Sequence, residues 1–172
     1  MNKTLLLDRF LLTLDIVARE GRHLAFSRNR LFAEQIDKAW VEALPDKPEI
    51  AERLEAFVSR YGRMQDTMAD KLLPRWLLAL AERPGSQIET LNRAERLGVL
   101  ESVEVWLEAR NLRNRLVHEY MTDAGEFAQN LLLARQYSLM LINTYNRLRA
   151  DAIERLHVEQ ARLPVALDPD KV

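Results

Sequence analysis

The chain has 172 residues, of which 48% are hydrophobic and 30% charged, with no cysteine and a formal net charge of −1. That length suits one domain able to bury about 70% of its unfolded surface, and the composition is too apolar for disorder. The missing cysteines exclude a disulfide framework and thiolate metal sites. The balanced charge excludes nucleic-acid binding by a broad basic surface, so any RNA contact must be local.

Arg, Leu, Ala and Glu, all good helix formers, dominate. Leu5, Leu6, Phe10, Leu11, Leu14, Val17 and Ala18 recur at three- and four-residue steps, which predicts an amphipathic helix ending or bending at Gly21. The run Leu5-Leu6-Leu7 meets Asp8 and Arg9 at once, so it is neither a signal-peptide core nor a membrane span. A second helix is expected over residues 25–43, followed by a break bracketed by Pro45 and Pro48. Leu54, Phe57, Val58, Tyr61, Met68 and Leu72 then form the best apolar stripe in the chain, the expected spine of the fold. Pro74 should end or kink it, with helical packing resuming through Trp76, Leu77, Leu78 and Leu80.

Arg83-Pro84-Gly85-Ser86 reads as a loop, 86–97 as a short helix, and Gly98 as its punctuation. From Glu101 to His118 acidic residues come early (Glu101, Glu104) and arginines late (Arg110, Arg113, Arg115), the polarity a helix dipole favours. After a turn at 122–125, Phe127, Leu131, Ala134, Tyr137, Leu141, Thr144 and Leu148 mark a last long helix. These elements predict an all-α, up-and-down four- or five-helix bundle in one domain spanning 1–163, with 164–172 fraying around Pro164 and Pro169. The pattern shows no strand and no internal repeat.

The most informative segment is Arg113-Asn114-Arg115-Leu116-Val117-His118-Glu119-Tyr120, near the end of the helix that begins at Glu101. It gathers a permanent cation, an amide, an imidazole and a phenol. Residues four apart share a helix face, so Arg110, Asn114 and His118 form one stripe, while Arg113 and His118 lie about 140° apart on a regular helix. Joint action would need long side chains reaching round, a helix that loosens before His118, or a second subunit. Metal-free RNA cleavage requires a base for the 2′-hydroxyl, an acid for the leaving 5′-oxygen and a cation for the pentacoordinate phosphate. Histidine can move those protons near neutral pH, and the arginine fork fits phosphate oxygens. His23 and His157 fall in unrelated contexts, so a two-histidine mechanism would most simply recruit His118 from a symmetry mate.

The order Arg113, Asn114, His118, Tyr120 resembles the signature of the HEPN superfamily, an Arg followed after four to six residues by a His. The Tyr two residues past the His is similar to HepT-type toxins that pair with minimal nucleotidyltransferases. That resemblance implies an all-α bundle and a homodimer whose two motifs face each other in one cleft. It also implies metal-independent endoribonuclease activity as the toxin of a toxin–antitoxin pair, without a cofactor. Arg113 would hold the phosphate, His118 transfer protons and Asn114 orient His118 or the substrate; Arg110, on the helix stripe of Asn114 and His118, is either a substrate-binding residue or an ordinary solvated charge paired with Glu104, Glu108 or Glu119. Tyr120 would be the acceptor of adenylate from the cognate nucleotidyltransferase antitoxin. The alternative is a non-catalytic partner that presents substrate, or its own Tyr120, to that enzyme.

Each residue has a plainer reading. Arg113 could be a surface arginine, His118 a C-terminal cap and Tyr120 a packing aromatic, but their joint order with Asn114 favours a functional cluster. A zinc-protease helix is excluded, since Thr122 stands where the second histidine would be needed. Trp40, Trp76 and Trp106 are expected in the core or an interface, His23 and His157 on the surface, and the whole chain in the cytoplasm without membrane contact.

Overall fold

The computed structural model describes residues 2–118 and 122–171, and of His118 the backbone alone. Tyr120 therefore lies outside the described residues. The chain builds α1 (Lys3–Leu31), a short α2 (Lys38–Glu42), a 3-10 turn (Leu44–Asp46), α3 (Pro48–Thr67), a π-helical turn (Met68–Leu72), α4 (Leu73–Ala79), α5 (Gln87–Arg96), α6 (Val103–His118), α7 (Ala124–Glu154) and a final 3-10 turn (Gln160–Arg162). Among the described residues there is no strand, so the all-α expectation holds.

Cross-helix hydrogen bonds show how the long helices run. Thr13, Glu20 and Ser27 of α1 meet Arg75, Thr67 and Arg60 in that order, so the α3–α4 rod descends as α1 ascends. Tyr61 and Gln65 of α3 likewise meet the carbonyls of Ala109 and Trp106, each at 2.9 Å, which sets α6 antiparallel to α3. One core runs through all of these elements, with Trp76, Trp106, Tyr61, Tyr145, Phe10 and Phe57 fully buried. The three tryptophans belong to this core, whereas His23 and His157 are exposed.

The structure departs from the sequence expectation in four places. Gly21 does not stop α1, which passes through it; a Cβ there would lie 2.5 Å from Leu167 Cδ1, so this glycine serves close packing. The helix expected over 25–43 is divided, because α1 ends at Leu31 and Asp37 starts α2 by accepting a bond from the Trp40 amide at 2.8 Å. Pro74 does not end the rod, whose helical run continues to Ala79 after a π turn. The π turn lets the Leu73 amide reach the Met68 carbonyl, and Pro74 then occupies the first turn of α4, where its missing N–H costs least.

The fourth departure is the C-terminal segment. Instead of fraying, it lies as an extended strap on α1 and α7. Tyr145, Asn146 and Arg149 donate to the carbonyls of Val165, Leu167 and Pro164 at 2.9, 2.8 and 2.7 Å. Asn29 of α1 donates to the Pro169 carbonyl at 2.7 Å, and the Leu167 amide returns a bond to Asn146 Oδ1 at 2.9 Å. Prolines need no partner for an N–H, so such a segment can be held through its carbonyls by donors on the helices.

Candidate functional site in the groove between α3 and α6

Helix α6 is fixed at its start by side chains that satisfy its open amides. Glu95 accepts from the Val103 amide at 2.6 Å and Ser102 from the Val105 amide at 3.2 Å. Trp106, Ala109, Leu112 and Leu116 form its buried stripe. Arg113 and Val117, which flank that stripe, are therefore delivered to the edge of the groove between α3 and α6, while Asn114 faces away from the stripe. Arg113 is half-buried, whereas Asn114 is exposed.

Arg113 lies flat across α3. A Cβ on Gly62 would stand 2.5 Å from Arg113 Nε and 2.8 Å from its Cζ, so only glycine leaves room for the guanidinium in this position. One turn on, Asp66 accepts from Arg113 Nη1 at 3.2 Å. The guanidinium is thus both cradled and oriented from α3. On either side of Gly62, Tyr61 and Gln65 clamp α3 to α6 through the carbonyl bonds already described. Burial pushes the Tyr61 phenol well above its usual range, so it serves as a neutral donor.

Arg110 is handled differently. It donates to the Gln87 Oε1, and Gln87 in turn donates to Asp70 Oδ1 at 2.8 Å, which ties α6 to the π turn through α5. Arg110 and Arg113 therefore face two carboxylates one turn apart on the α3 rod, one through an amide relay and one directly. Helix α6 stays helical to His118, so the loosening that could have brought His118 round to Arg113 does not occur in the described backbone. A regular helix keeps their directions about 140° apart. The structure brings Arg110, Arg113, Asp66 and Asp70 together and places Asn114 on the open side. The side chain of His118 and all of Tyr120 are outside the described residues.

Beside Arg113 opens a groove of about 370 Å³. Leu54, Val58, Leu116 and Phe127 make its apolar floor, Val117 stands exposed at its edge, and Glu55 and Ser59 are its polar side chains on α3. The sequence reading singled out neither Gly62 nor Asp66. A signal for Gly62 did exist: glycine inside a helix costs about 1 kcal/mol relative to alanine, so its presence in the best helical stripe asks for a steric reason. Asp66 gave none, because its partner is 47 positions away.

Fold and site together define an all-α protein with a cationic helix edge opening on an apolar groove. In comparison with protein families, curated proteins and solved structures, the chain matches none. No helix among the described residues is long and apolar enough to cross a membrane.

Proposed function

We propose that this chain is a metal-independent endoribonuclease of the HEPN type, the toxin partner of a minimal nucleotidyltransferase, with one active cleft shared by two copies. The observation that carries the reading is the sequence order Arg113, Asn114, His118, Tyr120, with Arg113 held by α6 at the mouth of an open groove. Arg113 binds the scissile phosphate through its fork, and the two copies of His118 divide the proton transfers. One imidazole takes the 2′-hydroxyl proton as that oxygen attacks phosphorus, and the other gives a proton to the departing 5′-oxygen. The products are a 2′,3′-cyclic phosphate and a free 5′-hydroxyl. Asn114 orients His118 or the substrate, and Tyr120 is where the cognate enzyme would attach adenylate.

The pairing of Arg113 with Asp66 supports a second reading. A guanidinium already matched to a carboxylate, beside an apolar groove with Val117 exposed, also suits a non-catalytic partner that docks the nucleotidyltransferase. A ribonuclease assay with purified protein in EDTA separates the two. Cleavage that disappears in Arg113→Ala and His118→Ala, both still dimeric, supports the nuclease. Absence of cleavage together with a stable nucleotidyltransferase complex supports the partner, and undiminished cleavage by His118→Ala removes the mechanism.

A further inference from the structure

An arginine taken out of water is ordinarily set against a carboxylate, because an unpaired buried charge is costly. Arg28, near the end of α1, is only 9% exposed, yet it forms no ion pair among the described residues. Its Nε donates to the Arg135 carbonyl at 3.2 Å and to Ser138 Oγ at 3.1 Å. These bonds use the Nε of the guanidinium and leave its two Nη groups without an acceptor among the described residues. They explain how Arg28 ties α1 to α7, but not what stands beside it.

Beside it is a second cation. Arg135 projects from α7, with its guanidinium carbon 5.6 Å from the centre of the Phe32 ring, and it too makes no ion pair among the described residues. Burial, and then the like charge of Arg135, pull the Arg28 pKa down; the opposing influence is Asp170 on the C-terminal strap, which stays beyond ion-pair distance. The end of α1 contributes some negative potential from its open carbonyls. Among the described residues, Asp170 is the negative side chain that acts on Arg28 from the strap. Arg28 and Arg135 line one cavity of about 460 Å³ with Leu132, Gln136 and Leu139.

The geometry points to an oxyanion site in this cavity: Arg28 and Arg135 bind the phosphoryl oxygens of a small phosphorylated molecule, with the Gln136 amide as a third polar contact and Leu132 and Leu139 against its organic part. Planar guanidinium forks match phosphoryl oxygens in pairs, and a doubly charged group balances two cations. The site lies on the α1–α7 seam and is independent of the groove at Arg113.

Titration calorimetry with inorganic phosphate and with ribose 5-phosphate, at fixed ionic strength set by chloride, tests it. Both should bind saturably. Arg135→Ala, a change at an exposed residue, should weaken binding at least about tenfold while leaving the ligand-free melting temperature unchanged. Asp170→Asn, which removes the negative side chain that acts on Arg28, should tighten binding severalfold. Tighter binding of ribose 5-phosphate assigns the site to a phosphorylated metabolite, and equal binding assigns it to free phosphate. Heat signals that do not saturate, or affinities that Arg135→Ala leaves untouched, overturn the inference even if Arg28→Lys fails to fold.

Discussion

Gly62→Ala isolates the placement of Arg113 from the stability of the fold. The added methyl would sit 2.5 Å from Arg113 Nε and 2.8 Å from Cζ, so the guanidinium must leave its cradle. What it displaces is the far end of a flexible side chain, and the core need not move. The ion pair lost with Asp66 involves side chains 33% and 49% exposed, a setting in which such pairs contribute about 0–1 kcal/mol. Replacing a helix-interior glycine by alanine returns about 1 kcal/mol. The variant should therefore be as stable as the parent or up to about 1 kcal/mol more stable in urea denaturation. On the nuclease reading proposed above, RNA cleavage should nevertheless fall by about a hundredfold, since displacement of a phosphate-binding group by an ångström can cost that much. A loss of more than about 2 kcal/mol would show that Gly62 also packs backbone against α6, and unchanged cleavage by a stable variant would show that the position of Arg113 is irrelevant.

Two buried indoles provide a matched pair for a second test. Trp76 Nε1 donates to Asp151 Oδ2 at 2.7 Å, whereas Trp106 Nε1 has no partner among the described residues. Trp76→Phe should cost about 1–3 kcal/mol more than Trp106→Phe in urea melts, because it leaves a buried carboxylate short of a donor; equal losses would deny that bond a role. Glu20 has one buried oxygen without a partner, and burial raises its pKa. The fold thus favours its protonated form, so Glu20→Gln should raise the urea midpoint at pH 7, with the advantage shrinking as pH falls through the raised pKa; a lower midpoint would contradict this. Burial pushes Tyr145 up to about 12. Its contribution is present below the ordinary tyrosine range near 10 and lost as pH rises toward 12, so alkaline destabilisation should be weaker in Tyr145→Phe, and an identical alkaline profile would refute the assignment.

Periodicity alone located the core-facing row of the rod: Leu54, Phe57 and Tyr61 on α3 and Met68 in the π turn are all buried. The misjudged places share a cause. Gly21 and Gly62 look alike in sequence, and only the neighbours that fill their missing Cβ, Leu167 in one case and Arg113 in the other, explain them. The prolines of the C-terminal segment suggested a fraying tail, which the structure does not show. They could not announce the side-chain donors on Asn29, Tyr145, Asn146 and Arg149 that hold the carbonyls. At the candidate site the order of Arg113, Asn114 and His118 was legible, being local. The carboxylates that meet the arginines were not, since they arrive from another helix.

The π turn at Met68–Leu72 has a consequence for how far a change at one residue can travel. It stores one residue of slack between two apolar rows, so that Tyr61 and Met64 above it, Met68 within it and Leu73, Trp76 and Leu77 below it all reach the same core. Pro74 keeps that slack from escaping, because an ordinary helix would require the amide it lacks. Were it replaced by alanine, the rod could rewind by a fraction of a turn and carry Asp70 away from Gln87, releasing Arg110 on a helix that Pro74 never touches through sequence proximity. A residue with no polar hydrogen of its own would in this way govern the freedom of a distant guanidinium.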